Sequence, residues 1–571
     1  MREHLKKFLW FFLFTERTVT HRRVEIKRTI KQDYKVTKLG YLYHGKQTGM
    51  LKKLLLTILS ALLLALPWWG CGGWSLFIAF VPLLILGEQR PRFYWLWAAL
   101  AFTLWNVGTT WWVGIATPLA IFGIPVVSLF FTLVPFMIFH RFRFRAPQPV
   151  AWGLFVTLWI AFEALFMNNE LSFPWLTLGY GFADTPQIVQ WYELTGSFGG
   201  SLWVLVANIL FYLLWKNWRA KRWRAANPAI LWIVIPVGAS LVRYATYKET
   251  NNPVKVAVVQ PNIDPYNEKF GGLTMAQQRN IILDLAKEAP HDVEFILTPE
   301  TSFDGDFWLG DLYNNTEIDT LRNFMKRFPD ATLVAGATTF LRYDEQMPHR
   351  RWTRTDPLWG ITYDVYNSAL GISASDPRVQ VYHKSKLVVG AELFPYPKVF
   401  GALKFLNIDL GGISGSLGMQ DHRTLISHPE GTAAGVAICY ESVYGGYYTE
   451  YVQRGAQVMF IITNDGWWGD TPGYKQHFSF ARLRAVETRR AIARSANTGI
   501  SGLIDQRGDV IDSLGWDKRA LLTGEINAND ALTPYVRGGD YVVRLCLLVL
   551  GLCLLYYVAW RFRKRSLLLE E

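Results

Sequence analysis

Three residues of this sequence carry side chains that could do covalent chemistry together, and each follows a run of strand-forming residues. Glu300 ends Phe295-Ile296-Leu297-Thr298-Pro299-Glu300, Lys384 follows Val379-Gln380-Val381-Tyr382-His383, and Cys439 follows Ala434-Gly435-Val436-Ala437-Ile438. In open α/β sheets the carboxyl ends of strands are where ligands bind. A thiol, a carboxylate and an ammonium are the parts of an activated sulfur nucleophile. Taken singly, each also has a plainer reading: a solvated carboxylate, a solvated lysine and a small core cysteine. A second lysine, Lys386, stands two residues beyond Lys384. In extended backbone both point to the same face, so spacing alone leaves both open.

The other cysteines lie elsewhere. Cys71 sits between two apolar stretches, and Cys546 and Cys553 sit inside the last one. No disulfide framework follows from this usage, and the lone thiol of the polar region becomes a candidate nucleophile. No His/Cys cluster has metal-ligand spacing and no glycine-rich phosphate loop follows a strand, so no metal or organic cofactor is implied.

The region around the three residues, 253–528, is patterned as an α/β domain with a mostly buried sheet. Strands are expected at Val254–Val259, Glu294–Leu297, Thr332–Ala335, Asn367–Ile372, Val379–Tyr382, Gly435–Ile438 and Gln457–Ile462. Helices are expected at Thr274–Ala289 and Thr316–Phe328, and a hairpin at Gly499–Leu514 turning at Asp505-Gln506-Arg507-Gly508.

The rest of the chain is apolar. Of 571 residues 51% are hydrophobic and 18% charged, with 25 Trp, 26 Tyr and 36 Phe, a balance that points to membrane segments beside a globular part. Seven apolar stretches precede residue 250 (Leu54–Gly70, Trp74–Leu86, Phe93–Val113, Leu119–Phe139, Val150–Phe166, Leu202–Trp215 and Ala229–Ala245), and Leu545–Trp560 makes an eighth. The net charge of +13 gathers beside these stretches and in the first fifty residues, not on one soluble face, which argues for a topology signal and against nucleic acid. Lys and Arg follow the second, fourth, sixth and eighth stretches, whereas Ala146–Trp215 has neither. The positive-inside rule then places both termini in the cytoplasm and residues 251–541 outside. The expected organisation is a basic extension over 1–49, upstream of a natural start at Met50; a membrane domain over 50–250; an outward-facing α/β domain over 251–530; and an eighth helix with a basic tail over 541–571.

Pro299-Glu300-Thr301, then Tyr382-His383-Lys384-Ser385-Lys386-Leu387-Val388 with Glu392 beyond it, then Ile438-Cys439-Tyr440-Glu441, resemble the Glu-Lys-Cys motifs of the nitrilase (carbon-nitrogen hydrolase) superfamily. Asn464-Asp465-Gly466-Trp467-Trp468-Gly469, Gln476-His477, Ala481–Glu487 and Ser495–Ser501 extend the match. Fused to membrane spans, and with Phe173-Pro174-Trp175, Leu178-Gly179-Tyr180 and Asn208 upstream, the sequence resembles the apolipoprotein N-acyltransferase family.

That resemblance implies an αββα sandwich beside a helical membrane domain, and acyl transfer in two half-reactions. Glu300 would act as the base, Lys384 with the Tyr440 N–H would stabilise the oxyanion, and Glu392 would orient the set. Glu441 would shape the turn at the nucleophile or form a structural ion pair. The motif sets its lysine three residues before a Leu-Val pair, which favours Lys384 over Lys386. The partners implied are a phospholipid donor, a diacylglyceryl-modified lipoprotein acceptor and the bilayer, at the bacterial inner membrane. Two features depart from the pattern: a proline is missing from Leu387-Val388-Val389-Gly390-Ala391-Glu392, and Phe270 stands where relatives often have tryptophan. Leu393–Gly412, with Phe394, Phe400 and Phe405, is expected to form an apolar flap over the site. The rivals are a membrane-tethered amidase and a catalytically inactive membrane scaffold.

Overall fold

The computed structural model describes residues 35–116, 120–219, 227–344, 346–400 and 416–570. Packing divides the chain into Met1–Lys53 and Leu54–Glu571. In the first unit residues 35–53 are helical, the start of the helix Lys35–Ala65. The run Phe8–Phe14 lies outside the described residues.

Among the described residues six helices are long and apolar enough to cross a membrane: Gly49–Trp69, Ile121–Arg143, Gln148–Met167, Ser197–Asn217, Asn227–Thr246 and Tyr541–Arg563. The other two expected spans are shorter. Trp74–Leu86 is a 3-10 segment, Gly73–Ile78, followed by the short helix Val81–Glu88, and Phe93–Val113 shortens to the helix Tyr94–Thr110. The turn leading into Gly73–Ile78 needs Gly70 and Gly72, whose φ values of +82° and +72° are positive, and Gly73 packs so closely on Phe182 that a Cβ there would meet the ring at 2.3 Å. Asn208 secures the broken segment, its Oδ1 accepting the Phe80 N–H and its Nδ2 donating to Leu76 O, both at 2.7 Å. Such side-chain partners replace helical bonds that a broken helix gives up at membrane depth. Phe122, Val126, Ile235, Leu548 and Leu555 stay exposed on helix faces, as lipid-facing residues do.

The α/β domain is a sandwich of two sheets. One sheet runs Ala520–Asn527, Pro253–Gln260, Phe295–Leu297, Thr332–Arg342, Thr362–Ser373, with Gln380–His383 paired to Thr362–Ser373. The other runs Val510–Leu514, Ser501–Ile504, Ile492–Ala496, Val458–Thr463, Ala433–Ile438, Leu425–Ser427. Alternation along Pro253–Gln260 separates two cores. Val254, Val256 and Val258 join a core shared with the second sheet, in which Phe295 meets Phe460 at 4.9 Å. Ala257 and Val259 join a core under the helices Met275–Ala286 and Thr316–Met325. Gly445–Gln453 and Pro472–Thr488 cover the far face of the second sheet, so the layers run α-β-β-α.

The membrane half grips this sandwich through the short turns around Phe173-Pro174-Trp175 and Leu178-Gly179-Tyr180. Trp175 donates to Gln476 at 2.7 Å, Tyr180 Oη to Val443 O at 2.5 Å, and Tyr440 Oη to Ser172 O at 3.0 Å. Trp112 packs so closely on the helix start at Gly473 that a Cβ there would meet its ring at 2.6 Å.

Candidate active site

Glu300 and Lys384 end strands of the first sheet, and Cys439 ends a strand of the second. Lys384 Nζ lies 2.8 Å from Glu300 Oε1 and 3.0 Å from Glu392 Oε1, with its side chain only 1% exposed. Asn367 Nδ2 donates to the same two oxygens, at 2.7 and 2.9 Å. The remaining carboxylate oxygens take backbone donors: Asn464 N–H to Glu300 Oε2 at 3.2 Å, and Val388 N–H to Glu392 Oε2 at 2.8 Å. Lys384 thus touches both acids, while Lys386 holds its ammonium 5.0 Å over the Tyr444 ring.

Two backbone features aim the reacting groups. Cys439 has φ +52°, a left-handed conformation unusual for a residue with a side chain, and it opens the short 3-10 turn Cys439–Val443. Thr301, next to Glu300, has φ +49°. Its turn passes so near the neighbouring strand that a Cβ on Gly336 would meet Pro299 O at 2.0 Å. Buried Lys269 anchors this turn by donating to Thr301 O at 2.6 Å and to its hydroxyl.

The electrostatics favour a resting thiol. Burial pushes the Cys439 thiol well above its usual range, the Glu300 charge adds to the effect, and Lys384 opposes it. Burial also acts against ionised Glu300, but the charge and hydrogen bond of Lys384, with Asn367 and the Cys439 thiol, hold its carboxyl below the usual value. For Lys384 burial is outweighed by Glu300 and Glu392, which keep it protonated. The geometry therefore offers a protonated thiol, 8% exposed, beside an ionised base.

Glu441 is fully buried and bonds in several directions. It accepts from Tyr382 Oη at 2.7 Å, Tyr447 Oη at 2.5 Å, Ser385 N–H at 2.6 Å and Ile438 N–H at 2.8 Å. It ties the strand carrying Lys384 to the turn carrying Cys439, through hydrogen bonds and not an ion pair. Tyr440 lies over the loop at Ser172. Phe394 is half-buried, its N–H donating to Ser416 at 3.2 Å. The side chain of Phe400 and residues 401–415, with Phe405, lie outside the described residues.

Behind the nucleophile stands a sealed cluster. His477 Nε2 is 3.1 Å from Cys439 O and 3.0 Å from Ser442 Oγ, and its Nδ1 is 2.9 Å from Asp465 Oδ1. Arg494 donates to Asp465 Oδ2 at 2.6 Å. Burial and Arg494 lower the His477 pKa, which leaves the ring neutral at pH 7.

The carbon-nitrogen hydrolase family profile matches residues 255–532, and the apolipoprotein N-acyltransferase N-terminal domain matches 60–210. The apolipoprotein N-acyltransferase of Chlorobaculum tepidum is 30% identical over 525 residues, covering 89% of this chain and 97% of that protein. The chain belongs to the apolipoprotein N-acyltransferase family. The family member from Bordetella bronchiseptica is 26% identical over 83% of this chain and 88% of its own length. A solved nitrilase-superfamily protein of Saccharomyces cerevisiae aligns over 51% of this chain and 93% of its own, with 18% identity and a TM-score of 0.33.

Within this apolipoprotein N-acyltransferase fold, sequence reasoning missed Asn367, which bridges Glu300 and Glu392. It sits in the strand Thr362–Ser373 between Asp364 and Ser368, so its polarity alone does not single it out. Asp465 and His477 stood in quoted motifs without a role, and Arg494 and Lys269 had no signal of their own.

Proposed function

We propose that this acyltransferase carries an acyl chain on Cys439 between a phospholipid donor and the α-amino group of the diacylglyceryl-modified N-terminal cysteine of lipoproteins. Cys439 Sγ attacks the ester carbonyl as its proton passes to Glu300. The tetrahedral oxyanion is held by Lys384 and the Tyr440 N–H. The carbon–oxygen ester bond then breaks, Glu300 returns the proton to the departing oxygen, and lysophospholipid leaves. In the second half the neutral α-amine attacks the thioester and its proton passes by way of Glu300 to the leaving sulfur, which restores the thiol. Glu392 and Asn367 hold Lys384 and Glu300 in place throughout. Phe394 and Phe400 belong to a lipid-contacting flap.

The observation that carries this reading is the Lys384–Glu300 contact beside a thiol held at a strained turn, directly over the loop Ser172–Tyr180 of the membrane half. In this reading residues 50–250 form the membrane domain, 251–530 the catalytic domain on the outer face of the bacterial inner membrane, and 541–571 the last helix and cytoplasmic tail. In a variant with Cys71, Cys546 and Cys553 replaced by serine, a membrane-impermeant thiol reagent should reach Cys439 from outside intact cells' inner membranes. Labelling only after permeabilisation would overturn that orientation.

Mass spectrometry of the purified chain after incubation with phospholipid should find an acyl adduct on Cys439. Adding a diacylated lipopeptide should discharge it to N-acyl lipopeptide. Release of free fatty acid alone would favour a membrane-tethered amidase.

A further inference from the structure

We infer that the membrane half holds a second substrate-binding site, built on Glu163, Asn106 and Ser128, for a primary ammonium group carried on a lipid. The inference rests on the proposed acyl transfer and names what part of its substrates the membrane half recognises.

A small cavity lies among Asn106, Ser128, Phe131, Trp159 and Glu163, under Phe173–Thr177. Three of these residues contribute a buried oxygen that has no hydrogen-bond partner among the described residues: Asn106 Oδ1, Ser128 Oγ and Glu163 Oε2. Asn106 is fully buried and Ser128 is 3% exposed. The other ends are fixed. Asn106 Nδ2 donates to Phe102 O at 2.8 Å, and Glu163 Oε1 accepts Trp159 Nε1 at 3.0 Å and the Leu178 N–H at 2.9 Å. Ser201 stands beside the carboxylate, its Oγ accepting the Gly179 N–H at 3.1 Å.

Charge and donor count select the ligand. Among the described residues no Lys, Arg or His lines the void, so an intramembrane acid faces it without a counter-ion, an expensive arrangement that marks a functional site by default. The unpaired atoms are all oxygens able to accept. A primary ammonium supplies both the missing charge and three N–H donors. A quaternary ammonium supplies the charge and no donor, and a glycerol headgroup supplies donors and no charge.

Position agrees with this. Glu163 lies four residues before the end of Gln148–Met167 and Asn106 four before the end of Tyr94–Thr110, so each is about 6 Å below its helix end at 1.5 Å per residue. Both ends abut the catalytic domain, through Ser172 on Tyr440 and through Trp112 on Trp468 at 4.7 Å. The segment roofing the void is therefore the one that holds the residue after the nucleophile. A headgroup amine of the donor, or the α-amine of the acceptor, would reach this depth from the same side as Cys439.

The test uses the full chain and two variants, Glu163→Gln and Ser128→Ala. Ser128 Oγ has no bond to lose, so its variant keeps the fold if Glu163→Gln does not. Adduct formation on Cys439 is measured against phosphatidylethanolamine and phosphatidylglycerol, and discharge of the adduct against a diacylated lipopeptide with a free α-amine. If the headgroup is the ligand, the variants should need about tenfold more phosphatidylethanolamine for half-maximal rate, with phosphatidylglycerol unchanged. If the α-amine is the ligand, both lipids should load alike and discharge should demand about tenfold more lipopeptide. Unchanged behaviour in every reaction, or equal loss with both lipids and the lipopeptide, would overturn the site. Failure of the wild-type chain to form any adduct would instead sink the thioester reading beneath it.

Discussion

Cys439 stands between two buried charge clusters built from similar parts. On the side of its thiol, Lys384 is shared by Glu300 and Glu392; on the side of its carbonyl, Asp465 is shared by His477 and Arg494. The first cluster is slightly open, with Cys439 and Glu300 each 8% exposed, whereas Asp465, His477 and Arg494 have no exposure. The first reaches the sulfur, the second only the backbone of the residue that bears it. A carboxylate in the open cluster can take and return a proton when substrate enters; one sealed behind the strand end can only hold the turn in place. Burial of charge thus serves two ends within one site, and the atom of Cys439 that each cluster meets separates them.

The largest effects should come from the open cluster. Cys439→Ser replaces a thiol with a hydroxyl that Glu300 scarcely ionises, and no acyl adduct should form. Glu300→Gln keeps shape but removes the base, so adduct formation measured by mass spectrometry should fall roughly 100-fold or more. Lys384→Met should fail at the same step. It also leaves two buried acids without their cation, so thermal unfolding in detergent should show a loss of about 3–5 kcal/mol. A Cys439→Ser chain that still transfers acyl groups would end the thioester mechanism.

Asp465→Asn should reverse that balance. It strands Arg494 in the core, so stability should drop by about 3–5 kcal/mol, while the folded fraction still acylates Cys439. The wild-type sign is fixed by the Asp465 carboxyl: burial opposes ionisation, but Arg494 and His477 hold its pKa far below the ordinary value. Its contribution is therefore complete above the unfolded-state value of about 3.9 and fades as pH falls through the folded one. If Asp465→Asn were as stable as wild type yet inactive, the second cluster would belong to the chemistry.

How much of this was legible in sequence differs between the two clusters. Glu300, Lys384 and Cys439 each follow an apolar strand run, and a polar residue where such a run stops is visible without coordinates. The carboxyl ends of these strands were legible for the same reason, at Leu297 and Ile438, whereas their starts lie one and two residues from the expected Glu294 and Gly435. The strand Ala520–Asn527 escaped, since its face alternates and it carries Glu525. Arg494 escaped because it lies inside the strand Ile492–Ala496, where a charge argues against burial until its partner Asp465 is seen across the neighbouring strand. In the membrane half, hydropathy located the apolar stretches, but the break between Ile78 and Val81 is held by Asn208, distant in sequence.

A smaller effect concerns pH. With the thiol held protonated and Glu300 held ionised, adduct formation should stay level from about pH 6 to 8.5 and decline only on the acid side, below the ordinary carboxylate value of about 4.3. A rate that climbs with an apparent pKa of about 8.5 would mean that free thiolate, not the Glu300-coupled thiol, is the nucleophile.

The smallest effect tests the choice between two lysines only two residues apart. Strand Gln380–His383 ends just before Lys384, so the chain turns there and the two side chains part: one goes into the acid pair, the other out over Tyr444. Burial lowers the Lys386 pKa, and Arg423 adds to that, with Glu441 acting in the opposite direction. Among the described residues Lys386 has no ion pair to lose, and its contact with the ring is worth about 0.5–1 kcal/mol where water still reaches it. Lys386→Met keeps the apolar stem that covers Tyr444, so adduct formation should stay within about twofold of wild type. Lys384→Met, with the same change of atoms, should lose the adduct altogether. If the outcomes were exchanged, Lys386 would be the cation of the reaction and the Lys384–Glu300 contact a structural pair like Arg494–Asp465.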